Sequence, residues 1–384
     1  VILLNLFLLF LFLMFAFRNI FSSYVIAGYD SSLIVKIALI LFFDALRAIH
    51  MLVLRAENRA FLFSMTLLLD IGLLACLNIY FVGLKDFGVM GVVYANFFSS
   101  CILFALTLPI IINRFKYSSI SFQSWNNLRL FAFPLMPAGL FWMILEFADR
   151  KMLEFLIVDN PLHVVGIYGA GYKIGSLMLL LVYAFNYAWR PYFLKKNNLL
   201  SFKKISSFFF FGLGFFYILL VLYVEGLVTY KLPIINTSLI DNKFWDGLAI
   251  VPFIALAYIF HGSFILQEAG PFLSNNVYRI SVCRAIGVVV NIFLNFILIP
   301  NFEKPYLAAA IATLIAYFVM SAALYLWNFK KSKFRYDNIM IIIIFLNICF
   351  VWFLSFYDFT AVKVLFPLLY LIQFKCYIRY RFSG

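Results

Sequence analysis

FAFPLMPAGLFWMILEFADRKMLEFLIVDNPLHVVGIYGAGYKIGSLMLLLVYAFNYAWRPYF, residues 131–193, sets acids, bases, prolines and glycines into two runs that are otherwise hydrocarbon. The spacing predicts one apolar helix near 127–148 and another near 164–190. Pro134 and Pro137 fall in the first turns of the former, where a missing N–H costs least and a kink can open a helix toward a cavity. Lys173 falls roughly mid-span in the latter. Stepping by four and three from Gly169 gives Lys173, Ser176, Leu180, Tyr183, Tyr187 and Arg190. That stripe reads as a face turned to protein or water, away from lipid. A lysine flanked by apolar residues costs at least ~2.5 kcal/mol in a bilayer core, so it is retained with a partner or a wet cavity.

The rest of the chain has the same texture. Of 384 residues, 66% are hydrophobic and 12% charged, which excludes an ordinary soluble domain and makes the chain a polytopic α-helical membrane protein. The apolar runs do not alternate as barrel strands would. Spans are expected near 1–17, 33–53, 60–82, 88–113, 127–148, 164–190, 206–228, 248–269, 279–300, 306–328, 337–356 and 361–378. The opening run has no basic segment before it and no small-residue cleavage site after it, so it reads as a span and not as a cleaved signal. The five cysteines show no metal-ligand or CxxC spacing and read as packing residues. The net charge of +14 does not point to nucleic acid, because the basic residues cluster at span ends. Nineteen of the thirty lysines and arginines fall in alternate connections and the C-terminal tail, against eight in the other set. Both ends of the chain are therefore expected in the cytoplasm.

The chain also repeats itself. The segment from Leu77 to Asn96 aligns without gaps on Leu294 to Thr313, placing Asn78 on Asn295 at an offset of 217 residues. GVMGVVYAN matches PYLAAAIAT in small residues that let helices approach closely. The offset puts the counterparts of the helices at 127–148 and 164–190 ahead of Val1. About 90 to 100 residues and two spans are therefore expected upstream, for about fourteen helices in all. The expected organisation is the remainder of an N-terminal lobe at 1–113, a six-helix C-terminal lobe at 114–328, and two accessory helices with a basic tail at 329–384.

Three pieces carry a family resemblance: PLMPAGLFWMILEFADRKML, VGIYGAGYKIGSL with AFNYAWRPYF, and LNFILIPNFEKPYLAAAIATLIAY. In these the sequence resembles the polysaccharide-biosynthesis (Wzx-like) flippases of the MOP exporter superfamily, relatives of the lipid II flippases and MATE drug exporters. The resemblance covers nearly the whole chain. It departs where such proteins commonly show Gly-x-x-Gly entering the repeated helix; here the second copy has Pro305 and Ala308.

The resemblance implies an all-α, two-lobed bundle of six plus six helices with two more at the C-terminus, in a bacterial cytoplasmic (inner) membrane. It implies a polyprenyl-diphosphate-linked oligosaccharide turned from the inner to the outer leaflet, without catalysis and without cofactor, drawing on H+ or Na+. Partners would be that glycolipid, membrane lipids, and glycosyltransferases or a polymerase of the same pathway. Two diphosphate charges crossing a low-dielectric layer need a cationic, hydrated lining. The candidates for it are Arg47 and Lys173, joined by Ser176, Tyr183 and Arg190.

Asp44, Arg47 and His50 are spaced by three and share a face. They read either as a diphosphate contact with a titratable neighbour or as an ion pair pinning two helices. Lys173 reads either as a substrate contact or as a partner of Asp70. Asp149 and Arg150 read as a helix-end clasp at the external rim or as direct contacts, and with Asp44, His50 and Asp70 they complete the ion-pair or coupling candidates. His261 reads as a packing residue or a proton carrier, and Arg279 and Arg284 as ordinary positive-inside charges. A cation-coupled drug exporter of the same fold, and a membrane glycan polymerase or ligase, stand as competing functions.

Overall fold

The computed structural model describes residues 14–16, 32–57, 59–112, 122–196, 202–230, 240–329, 334–355 and 360–382. The chain divides into two compact units, residues 1–120 and 121–384. Among the described residues every regular element is helical. Most of the expected first span, 1–17, lies outside them.

Unit 1 holds α1 (Ser32–Ala56), α2 (Ala60–Asn78) and α3 (Gly88–Ile112). The end of α2 widens into a π-helical turn, Ile79–Leu84, before the chain reverses. Phe43 of α1 packs on Phe104 of α3, ring centroids 5.2 Å apart. Leu68, Leu69 and Ile71 of α2 stand exposed, the outward face that a helix bathed in lipid presents.

Unit 2 begins with α4 (Phe122–Ala132), a 3-10 turn at Phe133–Leu135, and α5 (Met136–Leu156). Pro134 and Pro137 cause that break, since neither ring nitrogen can donate within the helix. At its other end α5 runs to Leu156, about two turns past the expected end at 148. Next come α6 (Pro161–Gly175) and α7 (Leu177–Lys196), expected as one straight span but bent by 41° at Ser176. Helix α8 (Phe202–Thr229) precedes a 3-10 segment, Asn242–Ile250, whose start is capped by Asp241 accepting the Lys243 N–H. Then follow α9 (Val251–Gln267), the short α10 (Ala269–Leu273), α11 (Tyr278–Leu298) and α12 (Pro305–Phe329).

Among the described residues eight helices are long and apolar enough to span a membrane, or nine if the bent α6–α7 pair counts as one span. The closing pair, α13 (Asn338–Ser355) and α14 (Thr360–Phe382), packs on α8 within unit 2. Tyr377 shares a hydrogen bond with Ser207 at 2.9 Å, and Tyr370 donates to the Phe211 carbonyl.

Helix α6 lies against the 3-10 segment through glycines. A methyl at Gly171 would meet the Gly247 carbonyl oxygen far inside contact, and one at Gly247 would meet that of Ile167. Backbone-to-backbone approach of this kind is how helices associate where lipid supplies no hydrophobic drive.

Candidate functional site

Helix α5 carries Trp142, Glu146 and Asp149 at intervals of four and three, so they line one face. Three polar nodes form around that face and its neighbours within unit 2.

The first node is Asp149, with no exposed surface. Its Oδ1 accepts from the Nδ2 atoms of Asn291 (2.9 Å) and Asn295 (2.7 Å) of α11. Its Oδ2 accepts from the Tyr168 hydroxyl of α6 (2.6 Å) and from the Thr313 hydroxyl of α12. A carboxylate has about four lone-pair sites, and here each has a donor. Burying one is otherwise several kcal/mol unfavourable, a cost this shell offsets. The side-chain oxygen of Asn295 is buried without a partner. The amides present N–H groups and the threonine its O–H to the carboxylate, so a hard cation would bind there only by displacing them.

The second node, one turn earlier, is Glu146. Its Oε2 accepts from Tyr172 of α6 at 2.8 Å and its Oε1 from Tyr317 of α12 at 2.9 Å. Tyr258 of α9 reaches both oxygens, at 3.1 and 3.2 Å. Arg150 donates back to the Glu146 carbonyl at 2.7 Å and lies 4.6 Å from the Tyr172 ring centroid, a cation–π geometry. His261 is buried beside this cage, its ring 4.2 Å from that of Trp142 and its Nδ1 unpartnered.

The expected clasp of Asp149 and Arg150 at a helix end is therefore corrected. The helix continues to Leu156, Asp149 is fully buried without an ionic partner, and Arg150 spends its charge on a carbonyl and an aromatic face. The exposed pair at that end is Lys151 with Glu154, at 2.8 Å.

The third node is Glu268, at the joint of α9 and α10. It meets Arg190 of α7 and Arg284 of α11, each at 3.0 Å. Arg284, read from the sequence as an ordinary cytoplasmic-side charge, is thus a part-buried member of a triad.

The stripe of α6 and α7 bends at Ser176, whose hydroxyl donates to the Lys173 carbonyl at 2.8 Å and so serves the bend. Lys173, Leu180, Tyr183 and Tyr187 are exposed, and Arg190 is 39% exposed. Lys173 makes no ion pair with any described residue of unit 2. In unit 1, Arg47 pairs with Asp70 at 2.6 Å and Asp44 at 3.5 Å, while His50 is buried. Asp70 is thus the partner of Arg47 within unit 1. Neither the Glu146 cage nor the Glu268 triad was foreseen. The available signal was two acids, Glu146 and Glu268, inside apolar runs.

No family model matches the sequence, and no curated protein matches it. Solved structures do. The chain is similar to the lipid II flippase MurJ in an inward closed conformation, with TM-score 0.67 and 15% identity over 99% of this chain and 82% of that one. It is similar to a MATE in complex with MaL6, with TM-score 0.67 and 16% identity over 85% and 76% of the two chains. A MOP-superfamily transporter from Pyrococcus furiosus, described by the reversed polarity of its binding pocket, gives TM-score 0.64 at 16% identity over 85% and 76%. The chain has the helical fold of the MOP-superfamily transporters.

Proposed function

We propose that the protein flips polyprenyl-diphosphate-linked oligosaccharide repeat units from the inner to the outer leaflet of the bacterial cytoplasmic membrane, for O-antigen, capsule or exopolysaccharide synthesis. The observation that carries this reading is the exposed stripe of unit 2. There Lys173, without an ion pair to any described acid of unit 2, is exposed ahead of the bend at Ser176, and Tyr183, Tyr187 and Arg190 follow beyond it. An unpaired cation suits a diphosphate, and phenol rings and hydroxyls suit sugars. The polyprenyl chain stays in lipid while the head group follows the stripe. Asp149 and its shell of amide and hydroxyl donors are the candidate for H+ or Na+ coupling, since a cation there would compete with those donors for the carboxylate.

The drug-exporter alternative draws on buried carboxylates. Glu146 and Asp149 are such acids, yet their oxygens are already engaged by phenols and amides, while the exposed stripe is cationic. That balance favours an anionic head group.

Depletion in the native host tests the reading. Lipid-linked repeat units should accumulate on the cytoplasmic leaflet, shielded from a membrane-impermeant glycosidase. Accumulation of single units outside would point to a polymerase. Altered drug sensitivity without accumulation would point to an exporter.

A further inference from the structure

Arg190 and Arg284 approach the Glu268 carboxylate from two helices, one on each oxygen. Glu268 is 3% exposed and Arg284 13%. Arg284 is held rigidly: its Nη1 donates to the Ala138 carbonyl at 2.9 Å, and its guanidinium lies 5.3 Å from the Phe264 ring centroid and 5.7 Å from that of Trp142. Its Nε is buried and unpartnered. Arg190 sits over Phe272 at 5.2 Å and is the end member of the exposed stripe that begins at Lys173.

Two fixed guanidinium groups sharing one small anion have the geometry with which arginines recognise carboxylates and phosphates. The triad carries net charge +1, and would carry +2 without its carboxylate. A triad centred on a buried carboxylate gives little net stability compared with apolar packing, so stability alone does not account for it.

We propose that Arg190 and Arg284 form a phosphate cradle, which Glu268 fills with its own carboxylate until the phosphate of a lipid head group displaces it. This deepens, and rests on, the flippase reading. Arg190 is the open side of the cradle, through which a head group leaving Lys173 along the stripe reaches it. Glu268 stands where α9 gives way to the five-residue α10, and its displaced side chain turns outward at that joint. The occupied cradle ties α7, α9 and α11 together, and exchange of carboxylate for phosphate releases α9 from the other two.

The test is binding of inorganic pyrophosphate to the purified full chain in detergent. Glu268→Gln should bind it about tenfold more tightly than the parent, equivalent to ~1.4 kcal/mol. Adding Arg190→Gln or Arg284→Gln to that variant should remove the gain. Equal affinity of parent and Glu268→Gln overturns the cradle. If Glu268→Gln does not fold, the parent decides, because Arg190→Gln changes a partly exposed residue. Loss of pyrophosphate-induced thermal stabilisation in that variant supports the cradle, and an unchanged shift overturns it.

Competition names the source of the phosphate. Displacement of pyrophosphate by a short-chain polyprenyl diphosphate and not by phosphatidylglycerol assigns the cradle to a lipid-linked intermediate. Displacement by phosphatidylglycerol assigns it to bilayer lipid. The two readings fail separately: a cradle without pyrophosphate affinity falls even if Lys173→Ala stops export, and an exported substrate of another class leaves pyrophosphate binding intact.

Discussion

The Tyr168 hydroxyl of α6 donates to Asp149 of α5 over 2.6 Å, and neither side chain has exposed surface. With Asn291, Asn295 and Thr313 it completes a shell of donors around a carboxylate that only accepts. Asp149→Asn places an amide donor against these donors, and should destabilise the protein by about 3 kcal/mol, the lower end for breaking a buried charge network. Tyr168→Phe should cost about 1.5–3 kcal/mol, the range for a hydrogen bond to a charged group. Thermal unfolding in detergent reads both, and equal melting temperatures for Asp149→Asn and the parent would show the network to be idle.

Lys173 and Arg47 separate by the same kind of measurement. Lys173 is exposed and makes no ion pair among the described residues of unit 2, so Lys173→Ala should leave stability within about 0.5 kcal/mol while abolishing the proposed export. Full export by that variant would remove Lys173 from the head-group path.

Arg47→Ala strands Asp70 and Asp44, and at the partial exposure of this pair it should cost about 1–2 kcal/mol. Arg47→Ala combined with Asp70→Ala should recover most of that loss. If export returns with stability, Arg47 pins α1 to α2 and does nothing more. If export stays lost, Arg47 contacts substrate.

The close approach of α6 to the 3-10 segment makes Gly171→Ala a test of packing. The added methyl meets backbone, which cannot turn aside as a side chain would. A loss of about 3 kcal/mol, or failure to accumulate in the membrane, is expected from overpacking. Gly139→Ala, with open space around the new methyl, serves as the tolerated comparison.

The Asp241 cap gives a pH signature outside the spans. The Lys243 N–H, and secondarily its side chain, hold the Asp241 carboxyl below its ordinary value. A lowered carboxyl contributes to the folded form above the ordinary carboxylate range and loses that contribution as pH falls through the lowered value. Hydrogen exchange at the Lys243 amide should therefore be slowed at neutral pH and lose this protection below about pH 4. Asp241→Ala should show no such step.

Much of the helical frame was legible as apolar runs bounded by prolines and charges, and α1, α3, α11 and α12 lie within a few residues of where the runs place them. The break before α5 was marked by Pro134 and Pro137. The bend at Ser176 was not, because no proline stands there and the bend is set by Gly175 packing on Ile254 and by the Ser176 hydroxyl. Lys173 could be picked out because one residue in hydrocarbon reveals itself. The Glu146 cage could not, because its donors Tyr172, Tyr258 and Tyr317 are ordinary tyrosines in sequence, and only the packing of α6, α9 and α12 around α5 brings them together.

That cage has a mechanical consequence. A helix turned by one residue rotates about 100°, and any of these three helices so turned would pull its phenol from Glu146. In hydrocarbon no water would replace it. The three tyrosines therefore act as keys in a lock, fixing the angular setting of α6, α9 and α12 around α5, so that this part of the molecule keeps its shape.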